Sequence, residues 1–323
     1  MKRISATIAV AAALLGGAIG LASAQDNYPT RPVKIMIAFP VGGLLDTVSR
    51  VVGEKLSGLL GQQFIVEARP GAGGTIATAA VAKAEPDGYT IMMINDNHAL
   101  NPSVFKNIPY DSVKDFAPIG FVGSTPLVLT AHPSLAAKDV RSFVALAKEK
   151  PGTITYGSVG LGSASHLAGE MLSSVANIKL QHIPYRGGAP ALVDLLAGHV
   201  NTIFLSPVSG LEYMKAGKLT GLALAATKRI EIIPDLPTMK EAGYPVEASY
   251  WFGLVAPAGT PPTVLAKLEK ALADVLAMPD VRKRLTDMGA IIEPLNGKKF
   301  GDYIKAETAK WAGIVEKAGI KPE

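Results

Sequence analysis

The stretch that most constrains this chain is residues 33–50, VKIMIAFPVGGLLDTVSR, where an apolar run meets a Pro/Gly loop and then a helical pattern. Val33, Ile35, Met36, Ile37, Ala38 and Phe39 make the run nearly continuous, as in a strand covered by helices on both faces of a sheet. Beyond Pro40-Val41-Gly42-Gly43 the period changes: Val48, Val51, Val52, Leu56 and Leu59 recur at helical spacing. Two glycines let the backbone approach a bound group. The first helical turn aims unpaired N–H groups and a positive dipole end at the same place. A strand, loop and helix of this kind form a seat for a carboxylate or phosphate.

The same alternation continues. Residues 64–66 read as a second strand, 71–83 as a Gly-opened helix, and 89–94 as a third strand entered through a turn at Pro86-Asp87-Gly88. Residues 95–121 read as loop, because Pro102, Pro109 and Pro118 interrupt them. A second α/β set follows, with strands over 127–131, 153–158, 180–183, 200–205 and 219–226 and helices over 140–150, 163–175 and 190–197. An aromatic-rich strand at 250–256 precedes three helices, 263–277, 279–288 and 297–317. Strand alternating with helix predicts largely parallel sheets layered between helices. A chain of this length exceeds one ordinary core. Hydrophobic strands at about 127 and 250 suggest that it crosses twice between two lobes. The first lobe takes residues 25–126 with 250–323, and the second takes 127–249. Ligands of open α/β sheets lie beyond the carboxyl ends of the strands, so two facing lobes make a cleft.

The amino terminus reads as an address. Lys2 and Arg3 precede an apolar run over 8–21, and Ala22-Ser23-Ala24 fits a small-residue cleavage site, so residues 1–24 are a secretory signal peptide and the mature chain is exported. Loss of Lys2 and Arg3 lowers the formal charge from +5 to +3. No basic block is interleaved with aromatics, which argues against a nucleic-acid groove. The chain has no cysteine. That excludes a disulfide scaffold, thiolate-held metals and thiol catalysis, and leaves the hydrophobic core to hold the fold.

A second glycine-rich turn, Gly157-Ser158-Val159-Gly160-Leu161-Gly162-Ser163-Ala164-Ser165-His166, again joins a strand to a helix. Gly160-x-Gly162-x-x-Ser165 approaches the dinucleotide fingerprint, but serine stands for the third glycine and no acidic residue ends a following strand. Tyr156 occupies the first-glycine place of a nucleophile elbow around Ser158, and neither Gly217-Lys218-Leu219 nor Gly297-Lys298-Lys299 has the hydroxyl of a P-loop. The five histidines lack metal-ligand spacing. The chain therefore reads as non-enzymatic, with no cofactor and no metal. His166, in the first turn of its helix, has two readings: a donor to a ligand, or a side chain bonded to a neighbouring carbonyl. Asp46 has two as well: an acceptor for backbone N–H groups at the helix start, or a group orienting waters or a ligand donor. Arg69 and Arg186 are candidate counter-charges beside turns, while Trp251 and Trp311 read as core.

Taken together the motifs resemble a known family. Phe39-Pro40-Val41-Gly42-Gly43-x-x-Asp46, Arg69-Pro70-Gly71-Ala72-Gly73-Gly74, Pro86-Asp87-Gly88-Tyr89, Ser158-x-Gly160-x-Gly162-Ser163-x-x-His166, His182-Ile183-Pro184-Tyr185-Arg186-Gly187 and Pro234-Asp235-Leu236-Pro237 stand in the order and spacing of the Bug (TctC-like) receptors. These are periplasmic solute-binding proteins of tripartite tricarboxylate transporters. The resemblance implies a type 2 periplasmic-binding-protein fold, with two α/β lobes around a central ligand cleft, and a monomer that hands a small organic carboxylate to membrane permease subunits. It implies ligand contacts from Phe39, Val41, Gly42, Gly43 and Asp46 on one lobe, and from Ser158, Gly160, Gly162, Ser163 and His166 on the other. Loops at Asn95-Asp96 and after Phe204, at Ser206, add selectivity. Leu205-Ser206 replaces the family's usual Asp-Asn, Asp96 stands where small hydroxyl residues are common, and Leu44-Leu45 is unusually apolar. The expected ligand is a small organic carboxylate, a dicarboxylate or an aromatic acid; the departures point to one carboxylate at the Gly42-Gly43 loop and a bulkier apolar or aromatic body rather than a short polar amino acid. An exported α/β enzyme acting on a carboxylate and an extracytoplasmic sensor subunit are the competing readings.

Overall fold

The computed structural model describes residues 27–317 except 186, together with 319 and 322; the expected signal peptide lies outside the described residues. In chain order the elements are β1 (Val33–Ile37), α1 (Leu44–Leu60), β2 (Phe64–Ala68), α2 (Thr75–Ala82), β3 (Thr90–Asn95), α3 (Asp96–Val104), β4 (Phe116–Pro126) and β5 (Val128–Ala131). Next come α4 (Val140–Glu149), β6 (Thr155–Ser158), α5 (Ala164–Ala176), β7 (Gln181–Pro184), α6 (Gly188–Ala197), β8 (Thr202–Leu205), α7 (Pro207–Lys215) and β9 (Thr220–Leu224). The chain ends with β10 (Ser249–Pro257), α8 (Pro262–Ala277), α9 (Pro279–Asp287), β11 (Leu295–Asn296) and α10 (Gly297–Lys317).

Two sheets result, ordered β2-β1-β3-β10-β4-β11 and β7-β6-β8-β5-β9. They are mixed rather than largely parallel. β1 runs parallel to β2 and β3, and β6 parallel to β7 and β8, but β10 is antiparallel to β3 and β4, and β5 to β8 and β9. The exceptions have a topological cause. β5 and β10 are the strands by which the chain enters one sheet from the other, so they start at the end where the strands of each βα unit finish. Only Leu127 separates β4 from β5, and the return runs from Leu224 to Ser249.

α1 shows how the pattern becomes packing. Leu45, Val48, Val51, Val52 and Leu56 are buried against Val33, Ile35 and Ile37 of β1, and each such side chain contributes ~1.5–3 kcal/mol on leaving water. Gly61, in the left-handed region at φ 72°, ends the helix by donating its N–H to the Ser57 carbonyl. The other face of the first sheet carries Trp251, Phe300, Ile304 and Trp311. Leu127, Phe143, Leu172 and Phe204 help build the core of the second sheet.

Two segments differ from expectation. Residues 95–121 hold a helix and most of an eleven-residue strand. Pro102 lies past the first turn of α3 and removes the N–H that would bond the His98 carbonyl, and burial of Ala99, Leu100 and Val104 holds the helix in spite of it. Pro118 is accommodated in β4 where the pairing with β10 shifts register at Leu254/Val255. α7 was not expected either, although Pro207 at its first turn is a helix-start signal.

Candidate functional site

Parallel pairing carries the ends of β1, β2 and β3 to one edge of the first sheet, and those of β6, β7 and β8 to one edge of the second. A helix starts just beyond each of these ends. α1, α2, α3, α6 and α7 start without a side-chain cap, at Gly43, Gly74, Asn95, Gly187 and Ser206. By contrast α4, which follows the reversed strand β5 and starts at the far end, carries a complete capping box between Asp139 and Ser142. The two glycine-rich edges face each other. An added Cβ at Gly162 of the second-sheet loop would stand 2.6 Å from Val104 Cγ1 of α3, and Leu167 of α5 is buried in one cluster with Met36, Ile94 and Leu100.

In the first loop, Gly42 takes φ 85°, and its N–H donates to Asp46 Oδ2 at 2.9 Å. Asp46 Oδ1 accepts from Arg50 Nε at 2.9 Å, and this bond, with the Gly42 bond, holds the carboxyl below its usual range. Of the two readings of Asp46, the geometry is that of the backbone acceptor. Both oxygens are used within the loop, which shapes the turn and keeps Arg50 tied to the helix. The first ladder bond of α1 runs from Thr47 N–H to Gly43 O, leaving the N–H groups of Gly43, Leu44, Leu45 and Asp46 outside the ladder. Phe39 is half-buried and Val41 is 65% exposed. Leu45 is buried and Leu44 packs on the same core, so the apolar pair of this loop feeds the core under α1.

The second-sheet loop is likewise bonded to itself. Ser158 Oγ donates to Gly160 O at 2.9 Å and lies 2.7 Å from His182 Nε2, and Ser163 Oγ donates to Gly160 O at 2.7 Å. His166 Nδ1 accepts from the Gly162 N–H at 3.0 Å, a backbone partner but a donor N–H rather than the expected carbonyl. Burial pushes His166 down to about 3, with His182 stacked on it at 3.9 Å adding to the effect, and burial pushes His182 down to about 4. Both rings are neutral at ordinary pH. Ser163 caps α5 through the His166 N–H, and the Val159 N–H donates to Ser165 Oγ. Among the described residues the first-turn N–H groups of Ala164 and Ser165 have no protein partner.

Asn95 and Asp96 part company. Asn95 lines a narrow pocket with Gly73, Gly74, Asn97 and Asn101 at the ends of β1 and β3. Asp96 is buried beneath the loop with both carboxylate oxygens unpartnered among the described residues, and burial, helped by the Glu307 carboxylate, pushes it up to about 8. Ser206 is nearly buried, with its hydroxyl 2.8 Å from Ser209 Oγ. Arg69 is exposed and holds Ile37 O through its backbone N–H; Arg186 lies outside the described residues. The spans 39–46, 95–98 and 158–166 contain no Lys or Arg. Gly73, Gly74, Asn97 and Asn101, which line the narrow pocket, are not among the contacts expected from the sequence. Asn101 Nδ2 donates to Gly73 O at 3.1 Å across twenty-eight residues of chain, a contact that no local pattern announces.

The class this defines is a two-lobed solute-binding protein, with glycine-rich loops from both sheets around one cleft. The family model of the tripartite tricarboxylate transporter family receptor matches residues 48–320. Protein BugT of Bordetella pertussis is 35% identical over 324 aligned positions, covering 99% of either chain. Rpa4515 of R. palustris, solved with adipate, superposes with a TM-score of 0.84 at 30% identity, covering 92% of this chain and all of its own. MatC from Rhodopseudomonas palustris with bound malate gives 0.78 at 31% identity, covering 89% and 100%. The chain belongs to the tripartite tricarboxylate transporter receptor family, the Bug/TctC-like receptors, and is a binding protein rather than an enzyme.

Proposed function

We propose that this protein is a periplasmic receptor that closes on a small dicarboxylate and delivers it to the permease of a tripartite tricarboxylate transporter. The observation that carries the reading is the pair of opposed helix starts in loops free of Lys and Arg: α1 uncapped at Gly43, and α5, capped by Ser163 at the His166 N–H alone, with the N–H groups of Ala164 and Ser165 left over. Backbone N–H groups at helix N-termini hold carboxylates without fixed cations. Two such edges on facing lobes, one of residues 25–126 with 250–323 and one of 127–249, suit a ligand with an anionic group at each end. The adipate and malate bound by two relatives support the same class.

Gly43 with Leu44 and Leu45 supplies donors to one carboxylate, and the loop from Gly160 to Ser165 supplies them to the other. Asp46, Ser158, Ser163 and His166 hold these loops in shape, and Asn95, Val41, Phe39 and Ser206 line the remainder. Burial of Leu45 removes one reason to expect an aromatic body, which favours the dicarboxylate over the aromatic acid. The reading includes export with cleavage after Ala24 and a monomeric receptor. A thermal-shift screen of residues 25–323 against aliphatic mono-, di- and tricarboxylates and aromatic acids tests it. A ligand at 100 times its dissociation constant stabilises by ~2.7 kcal/mol. A dicarboxylate should give the largest rise in melting temperature and be recovered unchanged. A panel in which only aromatic acids shift the melt contradicts the ligand class.

A further inference from the structure

One carboxyl beside the cleft is left without a partner among the described residues. Asp96 is the first residue of α3, which starts without a side-chain cap, and Asn95 and Asn97 on either side of it are bonded to each other at 3.3 Å and line the narrow pocket at the strand ends. Asp96 itself is 1% exposed, with neither oxygen hydrogen-bonded. The other carboxylates nearby are matched: Asp46 holds Arg50 and the Gly42 N–H, and Glu307 is paired with Lys310 at 3.1 Å. A dehydrated carboxylate with no partner is costly, and such a group keeps its proton instead.

Among the described residues, the elements packed on α3 offer Asp96 no cation. β3, α2 and the turn over 71–74 carry no titratable side chain. β10 brings Tyr250, and α10 brings Tyr303 and Glu307; burial first, then neighbouring carboxylate charge, Asp96's included, pushes both phenols up, so they stay neutral. Tyr110, in the loop after α3, is likewise pushed up by burial, and burial pushes His98 of α3 down to about 4. Across the cleft His166 and His182, at about 3 and about 4, are already neutral where Asp96, at about 8, changes charge. A dianion entering loops free of Lys and Arg therefore meets backbone N–H groups and one carboxyl able to keep or shed a proton. Ionised, Asp96 adds a third negative charge in a region of low dielectric; neutral, it adds none.

We propose, on the strength of the dicarboxylate reading above, that Asp96 is a specificity residue coupling capture to a proton: the cleft holds a dianion only while the Asp96 carboxyl is neutral, and releases it as that proton leaves. Carboxyls of aliphatic diacids are fully ionised above pH 7, so a proton exchanged there belongs to the protein. Calorimetric titration of residues 25–323 with malate and with adipate, at pH 7 and pH 9 and in two buffers of different ionisation enthalpy, counts the protons taken up. The melting transition checks the fold at both pH values. The expected result is uptake of about half a proton or more per diacid at pH 9, with affinity roughly fivefold or more weaker than at pH 7. Asp96→Asn, similar in shape but without the charge, should abolish both effects, and Asp96→Ser repeats the comparison should Asp96→Asn fail to fold. A diacid that binds the parent equally at both pH values without proton uptake, or uptake that persists in the folded variants, overturns the inference and leaves the receptor reading standing. No binding of either diacid at either pH overturns both.

Discussion

Replacing Gly162 by alanine tests whether the facing loops touch in solution as they do in the structure. Gly162 sits at φ +67°, where a non-glycine residue costs ~1–2 kcal/mol. The new Cβ would stand 2.6 Å from Val104 Cγ1, 3.0 Å from its Cβ and 3.1 Å from its Cγ2. Valine in a helix is confined to one rotamer and cannot swing aside, so overpacking adds ~1–3 kcal/mol. The expected loss is roughly 2–5 kcal/mol by these two contributions. Val104→Ala removes two of the three contacts and leaves the backbone strain in place. The double variant should therefore be more stable than the sum of the single losses by about 1–3 kcal/mol, the overpacking part alone. Urea unfolding of the four proteins measures the coupling. Additivity within ~0.5 kcal/mol would mean that α3 and the second-sheet loop do not touch, and would refute the facing-loop geometry.

Three further outcomes follow from the buried titratable groups. Asp96 has a folded-state value of about 8, above its ordinary 3.8, so its carboxyl costs stability as pH rises from about 4 to about 8; Asp96→Asn should gain on the parent across that range, which denaturant titrations at pH 4 and pH 8 would reveal. His182 and His166 are lowered to about 4 and about 3, so the fold loses stability as pH falls below 6.5; His182→Gln should flatten that loss between pH 6.5 and 4, and an unchanged slope would contradict the neutral pair. Asp46 is lowered, so its contribution is present above 3.8 and lost as pH falls through its folded value. Asp46→Ala should cost ~1–3 kcal/mol near neutral pH through the lost Gly42 and Arg50 bonds, and weaken carboxylate binding in a calorimetric titration.

The glycine loops were legible in the sequence because their signals are local. An apolar run, Pro or Gly, and a change of period mark both β1–α1 and β6–α5 within twenty residues each. α3 was not legible, because Pro102 argues against a helix and only burial of Ala99, Leu100 and Val104 outweighs it. Which way a polar side chain turns was equally hidden. Asp46 and His166 are candidate site residues for which the sequence leaves open whether the side chain faces a ligand or a neighbouring group of its own loop. The partners inside the loop come from its three-dimensional closure, as with the Gly162 N–H on His166 Nδ1. Asp96 is the sharpest case. Its neighbours Asn95 and Asn97 line the narrow pocket, whereas its own carboxyl lies under the loop, near enough to Glu307 of α10 to feel its charge, a proximity no local pattern encodes.

The most direct test of the central claim is calorimetric titration of residues 25–323 with aliphatic dicarboxylates, malate and adipate among them, each beside its neutral dimethyl ester. The account predicts that at least one diacid binds, with one site per chain, and that its diester does not, because helix N–H groups are recognising anionic oxygens at both ends. Equal binding of diacid and diester, or no binding by any diacid, would contradict it.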